Sequence, residues 1–330
     1  MKDKLIADIQ DLMASHIDTE QMDKLNEVLT KCLYSVSVAR SEAGEAELNR
    51  ENGKLLTMFL SSKRVEGCSD KTLKYYHSTI ECMFKSVKNN VSEITTNDLR
   101  YYLSDYQSLN NSSKVTIDNI RRILSSFFSW LEDEDYIIKS PVRRIHKVKT
   151  GKVVKEILTD ENLEILRDSC IELRDLAMID LLASTGMRVG ELVRINRVDI
   201  DFHERECVVF GKGGSEREVY FDARTKIHLK QYLESRTDNN PALFVSLAKP
   251  HKRLKIGGVE LRLRELGRRA NIAKVHPHKF RRTLATMAIG KGMPIEQVQK
   301  LLGHVKIDTT MHYAMVNQNN VKISHRKYIS

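Results

Sequence analysis

Apolar residues recur at helical spacing from the start of the chain. Residues 3–35 predict two amphipathic helices that are broken between Ser15 and Thr19. The polar stretch at residues 41–53 fits either a continued helix or a junction. Because the exposed faces of these first helices are acidic, we expect residues 1–53 to form a helical extension that contacts protein rather than DNA.

The next 85 residues repeat the helical pattern with clear start signals. Four helices are predicted, at about 54–65, 70–87, 95–106 and 113–133. The candidate N-cap residues are Ser69 or Asp70, Thr96 or Asn97, and Ser112 or Ser113. This pattern predicts a helical bundle at residues 54–138.

The periodicity stops in the stretch IIKSPVRRIHKVKTGKVVKE, residues 137–156, where basic residues are frequent and acidic ones are almost absent. Pro141 prevents simple continuation of a helix. We therefore expect an extended basic linker at residues 139–157, which either lies along DNA or is a solvated tether.

Helical and strand patterns alternate beyond the linker. A helix capped by Thr159 or Asp160 is followed by one that ends near Thr185 and Gly186. Residues 198–221 form short apolar or alternating pieces, which predict antiparallel strands. The pieces are separated at His203–Arg205 and Gly211–Ser215. Helices resume from Arg224, with Pro277 and Pro294 at first-turn positions.

The predicted fold class is mainly α with a small antiparallel β-sheet: a helical domain at 54–138 and a mixed α+β domain at 158–330. A chain of 330 residues is long enough for two separate cores. No run approaches the ~20 apolar residues of a membrane span, so we expect a cytoplasmic protein. Five scattered cysteines without a CxxC pair indicate reduced thiols.

Charge is distributed unevenly along the chain. The net charge is +10, but residues 1–50 hold six basic and ten acidic residues, a balance of −4, which leaves +14 on the other 280. This imbalance indicates that the later segments bind a polyanion, most simply nucleic acid. Basic and hydroxyl side chains along helix faces, at helix starts and in the linker are the candidate DNA-binding residues. They are Lys71, Lys74, His77, Ser112, Ser113, Lys114, Arg121, Arg122, Arg143 and Arg144.

Four stretches of the second half each place a cation or a hydrogen-bond donor at a structural break. They are STGMRVGEL with Arg188, FGKGGSERE with Lys212, HPHKFRRTLAT with His278 and Arg281, and LLGH with His304. Each one alone has an ordinary structural explanation, such as a helix cap, a hairpin-tip lysine or an exposed helix face. Together, in this order and followed by Tyr313, they form a pattern.

The pattern resembles that of the tyrosine recombinase (phage integrase) family: Arg, Lys, His-x-x-Arg, His or Trp, and Tyr. The resemblance covers about residues 55–325, since the helical bundle is similar to the family's core-binding, SAM-like domain. One departure is Arg282, where many members have a second histidine. That position is not among the reacting groups.

The resemblance implies a catalytic domain that transfers a DNA phosphodiester to Tyr313, giving a 3′-phosphotyrosyl intermediate. A phenol of ordinary pKa near ~10 needs neighbouring cations to lose its proton at neutral pH. Arg188 and Arg281 would hold the phosphate through their planar N–H forks. Lys212, at a predicted hairpin tip, would protonate the leaving oxygen.

The two histidines complete the implied site. His278 would assist proton movement at the tyrosine or orient the phosphate, and His304 would donate to a phosphate oxygen. The implied partners are double-stranded DNA with specific recombination sites and a homotetramer on two such sites, monomeric or weakly associated when free, with accessory DNA-bending proteins. Residues 314–330 would dock on a neighbouring subunit or fray as a terminus.

The residues alone are compatible with two other function classes. Residues 284–304 contain two helices around a Gly-rich turn, which fits a helix-turn-helix regulator without catalysis. A type IB topoisomerase would share the nucleophile and relax supercoils alone. The regulator leaves Arg188, Lys212 and Tyr313 unexplained.

The predicted reaction needs neither a cofactor nor a metal ion. No HExxH, CxxC or clustered acidic set is present, and the grouped cations would repel a divalent ion. We therefore expect DNA cleavage to persist in excess chelator. A strict requirement for magnesium in the same assay would contradict this prediction.

Overall fold

The computed structural model describes residues 6, 9–11, 13–14, 16–33, 42–149, 151, 156–211 and 216–314. The chain divides into two compact units, Met1–Lys152 and Val153–Ser330. The division falls within residues 139–157, the segment for which the sequence predicts a linker. The predicted domain boundaries themselves stay a prediction.

The first unit is helical. Its described helices are α1 (Thr19–Leu33), α2 (Glu42–Val65), α3 (Asp70–Val87), α4 (Thr96–Leu109) and α5 (Lys114–Asp133), with 3-10 turns at Val91–Glu93 and Pro141–Arg144. Ser69 caps α3 and Ser113 caps α5, as the sequence predicts. The cap of α4 is Thr95 instead of Thr96 or Asn97, because a capping box forms between Thr95 and Asp98.

Helix α2 begins twelve residues before the predicted helix start at residue 54, so the junction considered for residues 41–53 is not formed there. Leu48 is buried, and the buried Asn52 fixes this part of the helix to the bundle. Its amide donates to the Asn89 carbonyl at 3.0 Å and accepts from the Val91 N–H at 3.1 Å. The predicted boundary at residues 53 and 54 thus lies inside a continuous helix.

Aromatic side chains fill the core of the first unit. Phe59 of α2 packs edge-on against Phe127 of α5, with ring centroids 5.2 Å apart, and lies 5.6 Å from the Trp130 ring. Phe127 also contacts Phe84 of α3 at 5.9 Å. These rings join α2, α3 and α5 by burying a large apolar area.

Residues 141–148 are not an extended linker, which corrects the sequence interpretation. Val142 is buried, and Ile145 and Val148 pack against the core of the first unit. The Thr96 hydroxyl donates to the Pro141 carbonyl at 2.7 Å, and the Val148 N–H donates to Asp118 at 3.1 Å. Apolar residues at every third position attach residues 141–148 to the core of the first unit, although charged residues dominate the composition of the segment.

The second unit is mixed α and β. Its helices are α6 (Asp160–Asp168), α7 (Leu173–Thr185), α8 (Val189–Leu192), α9 (Ala223–Glu234), α10 (Ile256–Arg269), α11 (Pro277–Gly290), α12 (Ile295–Leu302) and α13 (Ile307–Ala314). Its strands are β1 (Ile200–Asp201), β2 (Glu206–Phe210) and β3 (Glu216–Tyr220), and a 3-10 turn spans Arg197–Asp199.

The three strands form an antiparallel sheet in the order β1-β2-β3, so the predicted fold class is confirmed. Cys207, Val209 and Val219 point into the core, while the alternate residues of β2 and β3 face outward. The strand breaks fall where the sequence predicts them.

Helix α7 is the centre of the second core. Ala177, Met178, Leu181 and Leu182 are fully buried, and the helix packs against α9 and α11. It ends at Gly186 as predicted.

The start signals of the later helices are largely those predicted. Thr159 caps α6 and Pro277 occupies the first turn of α11. Pro294 lies one position earlier than expected, at the N-cap of α12. None of the helices described is long and apolar enough to cross a membrane.

Candidate active site

Arg188 lies at the N-cap of the short helix α8, directly after the turn that ends α7. The Glu191 carboxylate accepts the Arg188 backbone N–H at 2.7 Å and its Nη1 at 3.0 Å. This local loop of hydrogen bonds fixes the direction of the guanidinium, while 38% of the side chain stays exposed.

A second arginine reaches the same carboxylate from the sheet. Arg217 of β3 donates through Nη1 and Nη2 to the two oxygens of Glu191, at 2.6 and 2.8 Å. Burial works to raise the pKa of Glu191, but the hydrogen bonds from Arg217 and Arg188 outweigh it and hold that pKa below its usual range. Glu191 is therefore an ionised, buried anchor for two cations.

Three arginines bind the last carbonyls of α12. Arg217 Nε donates to the Leu301 carbonyl at 3.1 Å, and Arg188 Nη2 donates to the Gly303 carbonyl at 3.0 Å. Arg281 Nη2 donates to the carbonyl of Leu302, between them. A helix leaves its final carbonyls without partners, and its C-terminus attracts cations. Arginines from α8, β3 and α11 therefore all bind the C-terminal end of α12.

Two glycines make this convergence possible. Gly186 and Gly303 adopt left-handed conformations, with φ of 60° and 64°, at the ends of α7 and α12. A Cβ on Gly303 would lie 2.9 Å from Cδ of Arg217. The Gly186 carbonyl also accepts Arg281 Nη1 at 2.8 Å, so the turn itself holds the arginine.

Arg281 is only 3% exposed. Burial and the nearby charges of Arg188 and Arg217 lower its pKa to about 10, which leaves the guanidinium charged at neutral pH. Among the described residues, the guanidinium groups of Arg188 and Arg281 each donate two hydrogen bonds to protein oxygen atoms. Three of the five donors of each remain for a ligand.

His304 follows the left-handed Gly303, as the sequence predicts. Its Nδ1 lies 2.9 Å from the hydroxyl of buried Thr310, which fixes the ring orientation. Burial, Arg281 and Arg188 lower the pKa of His304 to about 4, so the ring is neutral at neutral pH. The hydrogen bond to Thr310 leaves Nε2 facing away from it.

Tyr313, on α13, stacks on His304 with ring centroids 6.1 Å apart and an interplanar angle of 26°. It packs against a small apolar cluster formed by Ala285 of α11 and by Val298 and Leu302 of α12. The tyrosine is therefore placed beside the arginine cluster at the end of α12.

His278 lies at the start of α11, one turn before Arg281. Its side chain is exposed and forms no hydrogen bond or ion pair with the described residues. Desolvation by neighbouring protein atoms lowers its pKa, as do the charges of Arg281 and Arg282. The imidazole of His278 is therefore in its neutral form at neutral pH.

The structure brings five of the six predicted catalytic residues together: Arg188, His278, Arg281, His304 and Tyr313. The sixth, Lys212, lies outside the described residues. Their catalytic roles stay predictions at this point. Among the described residues, no three His, Cys, Asp or Glu side chains group as metal ligands.

The predicted DNA-binding residues lie mostly on exposed helix faces of the first unit. Exposed members are Lys71, Lys74, His77, Ser113, Lys114, Arg122, Arg143 and Arg144, and Ser112 is half-buried. Arg121 differs, because it pairs with Asp118 at 2.9 Å and its side chain is only 15% exposed. His77 lies 3.8 Å from the Glu81 carboxylate.

Sequence reasoning missed Glu191, Arg217 and Thr310. The spacing of Arg188 and Glu191 is that of a capping box, which is a local signal for Glu191. Arg217 and Thr310 carry no such signal, because their partners are 26 and six residues away in the chain.

Family models match most of the chain. Residues 148–320 match the model described as the phage integrase family, and residues 55–138 match that of the phage integrase N-terminal SAM-like domain. A curated relative, the tyrosine recombinase XerC of Staphylococcus aureus (strain bovine RF122 / ET3-1), is 32% identical over 279 residues. That match covers 80% of this chain and 92% of the relative.

Solved structures with the same fold include two recombinases bound to DNA. A lambda integrase dimer bound to a COC′ core site has a TM-score of 0.65 and 20% identity, covering 90% of this chain and 87% of that one. The XerH site-specific recombinase bound to a palindromic difH substrate, in a post-cleavage complex, has a TM-score of 0.66 and 18% identity. It covers 98% of this chain and 95% of that one.

Glu191→Gln tests the buried anchor. Removing the charge leaves Arg188 and Arg217 without their carboxylate, so we expect a loss of about 3 kcal/mol in the free energy of unfolding. Because the pKa of Glu191 is depressed on folding, its stabilisation is complete above the ordinary carboxyl pKa of roughly 4 and is lost as pH falls through the folded value.

Urea unfolding of both proteins as a function of pH checks this. The stability difference should be full at neutral pH and shrink in acid. The exposed carboxylate change Glu204→Gln is the control and should shift stability by less than about 0.5 kcal/mol. A Glu191→Gln difference that stays constant across pH would contradict the assignment.

Proposed function

The chain belongs to the phage integrase family and is a site-specific tyrosine recombinase, and we propose that Tyr313 cleaves double-stranded DNA to form a 3′-phosphotyrosyl intermediate. The observation that carries this assignment is the stacking of Tyr313 on His304 beside the arginines at the end of α12. The helix-turn-helix regulator and the type IB topoisomerase are not favoured by the family match.

In the proposed cleavage step, the Tyr313 hydroxyl oxygen attacks phosphorus and the bond from phosphorus to the 5′ oxygen breaks. The tyrosyl proton passes to His278, whose low pKa keeps it in the neutral, accepting form. Lys212 protonates the leaving 5′ oxygen. The phosphodiester is conserved as a phosphotyrosine, and attack by a 5′ hydroxyl of another strand reverses the step and rejoins DNA.

Arg188 and Arg281 would bind the non-bridging oxygens, where negative charge grows during attack. Both are held in place before DNA binds, because backbone carbonyls and Glu191 fix their guanidinium groups. His304, neutral and oriented by Thr310, would donate from Nε2 to the same phosphate. Preorganised donors of this kind avoid rearrangement during the reaction.

DNA is the proposed partner, contacted by the basic faces of the first unit, and recombination would require a homotetramer on two sites. The lambda integrase relative is a dimer on its core site. Monomers or weak oligomers in the free protein, accessory DNA-bending proteins and a cytoplasmic location belong to the same proposal. The four cysteines with described side chains are all free thiols, which agrees with a reducing compartment.

A groove beside the site supports contact between subunits. Its volume is about 870 Å³, and it runs between the outer face of β2 and β3 and helix α12. Its lining includes apolar Val208 and Tyr220, and three glutamates outnumber the two cations Arg217 and Lys300. The basic and apolar tail VKISHRKYIS, residues 321–330, would complement this lining, although residues 315–330 lie outside the described residues.

Substitution of the nucleophile tests the proposed function. We expect wild-type protein, incubated in chelator with labelled DNA from both flanks of its own gene, to form adducts that survive denaturation. Tyr313→Phe should form none, because the attacking hydroxyl is absent. Tyr101→Phe, which removes the hydroxyl of an exposed tyrosine on α4 of the first unit, is the matched control and should form adducts like wild type.

Adducts with Tyr313→Phe would exclude this nucleophile. Absence of adducts with wild type on intact and nicked substrates, despite selective DNA binding, would favour a non-catalytic binder.

A further inference from the structure

Thr310 carries a buried hydroxyl on the helix that holds the proposed nucleophile. It lies in α13, three residues before Tyr313, and has no exposed surface. Its hydroxyl oxygen lies 2.9 Å from Nδ1 of His304. Among the described residues, His304 is the hydrogen-bond partner of this side chain and no other residue is. The state of the Thr310 hydroxyl is therefore tied to the state of one imidazole.

The burial of Thr310 determines which group donates in this hydrogen bond. A hydroxyl carries one proton, and a buried hydroxyl proton without an acceptor costs free energy. A proton on Nδ1 of His304 would point at the Thr310 oxygen and leave the hydroxyl proton without an acceptor among the described residues. An unprotonated Nδ1 accepts the hydroxyl proton, so both groups are satisfied. The second arrangement is therefore the more stable one.

An unprotonated Nδ1 also determines the state of the other ring nitrogen. The imidazole of His304 is neutral at neutral pH, because burial and the charge of Arg281 lower its pKa to about 4. A neutral imidazole carries one proton, and with Nδ1 as the acceptor this proton is on Nε2. Nε2 can then donate to a phosphate oxygen. The other tautomer would present a lone pair to that oxygen instead.

The backbone of His304 is held by contacts other than Thr310. Its carbonyl accepts from Gln299 Nε2 at 2.9 Å, and its N–H donates to the Gln299 carbonyl at 3.1 Å. These hydrogen bonds attach His304 to the end of α12 and leave rotation of its imidazole open. Thr310 and the stacked Tyr313 contact the ring itself, and both belong to α13. The ring is therefore ordered by the helix that carries the nucleophile.

We infer that the Thr310 hydroxyl donates to Nδ1 of His304 and thereby fixes the imidazole in the Nε2–H tautomer that donates to the cleaved phosphate. Thr310 is a positioning residue, because it acts through His304. Since α13 packs against α11 and α12, the same packing that places Tyr313 also prepares the phosphate donor. The inference rests on the proposed DNA-cleaving function and adds the position of one proton and the residue that controls it.

Two substitutions separate the hydroxyl of Thr310 from its packing. Thr310→Val keeps the shape of the side chain and removes the hydroxyl, whereas Thr310→Ser keeps the hydroxyl and removes a methyl group. At saturating DNA, the rate of tyrosyl adduct formation should fall at least about tenfold in Thr310→Val, because donation to the phosphate is weakened. Thr310→Ser should stay close to the wild-type rate. A role in packing alone predicts the opposite order of the two variants.

Thr309→Val is the matched control, since Thr309 is the neighbouring exposed threonine of the same helix. It should form adducts at the wild-type rate. The dissociation constant for DNA should be that of wild type in all three variants, because the hydroxyl acts after binding. In a His304→Ala background, the further change Thr310→Val should not slow adduct formation again, since Thr310 acts through the imidazole. Thermal unfolding shows whether each variant keeps its fold.

The proton position can also be measured without DNA. Nitrogen-15 NMR of the full chain distinguishes protonated from unprotonated ring nitrogens, and the spectrum of His304→Ala identifies the signals of His304. At neutral pH, wild type should carry the proton on Nε2 and show an unprotonated Nδ1. The Nδ1 signal should move in Thr310→Val, because this nitrogen loses its hydrogen bond, and should return toward the wild-type position in Thr310→Ser.

A proton on Nδ1 of His304 in wild type would overturn the inference. So would a wild-type cleavage rate in Thr310→Val, an equal loss in Thr310→Ser, or a loss from Thr310→Val that persists in full in the His304→Ala background. These outcomes are separate from failure of the proposed function, in which wild-type protein forms no tyrosyl adduct while the NMR spectrum still reports the tautomer.

Discussion

Three consecutive carbonyls at the end of α12 are each bound by a different arginine. Arg217, Arg281 and Arg188 donate to Leu301, Leu302 and Gly303 in turn, from three separate elements of the second unit. Unpaired carbonyls at a buried helix end cost free energy, so this interaction satisfies the helix and the guanidinium groups together. The rest of the site depends on it, because it places His304 and the following helix beside the arginines.

The same interaction leaves the site with an excess of positive charge. Three guanidinium groups converge, and Glu191 is the carboxylate that binds two of them. Burial is the largest cause of the depressed pKa values of Arg281 and His304, and the charges of the neighbouring arginines lower both pKa values further. A bound phosphate would reduce the repulsion between the guanidinium groups. The positive charge that complements a phosphate is therefore in place before DNA binds. The neutral state of His304 follows from its burial together with these charges.

Residues with local signals could be predicted from the sequence, and those with distant partners could not. Gly186 and Gly303 mark helix ends, so the positions of Arg188 and His304 after helix breaks were predictable. Arg217 was not, because a β-strand arginine gives no sign that its partner is a helix end 84 residues away. The His-x-x-Arg spacing also could not show that Arg281 is buried.

The first unit shows the same limit of prediction from local sequence signals. Charge dominates the composition of residues 141–148, whereas Val142 and its apolar neighbours decide their position. For residues 41–53 the sequence left a continued helix and a junction open, because a polar residue, Asn52, is the one that fixes this part of α2 to the bundle through backbone hydrogen bonds. Fold class and strand breaks followed from periodicity, which depends only on neighbours in sequence.

The central claim is that the arginines at the end of α12 serve as helix caps and as phosphate ligands. The direct measurement is cleavage by Arg188→Ala on two substrates, one with a natural phosphate at the cleaved position and one with a neutral methylphosphonate there. If Arg188 neutralises the phosphate, the variant should cleave the natural substrate poorly and recover at least about tenfold in rate on the neutral one, a difference of about 1.4 kcal/mol in barrier. An equal loss on both substrates, in a variant that keeps its fold, would show that Arg188 acts only as a structural cap and would contradict the account.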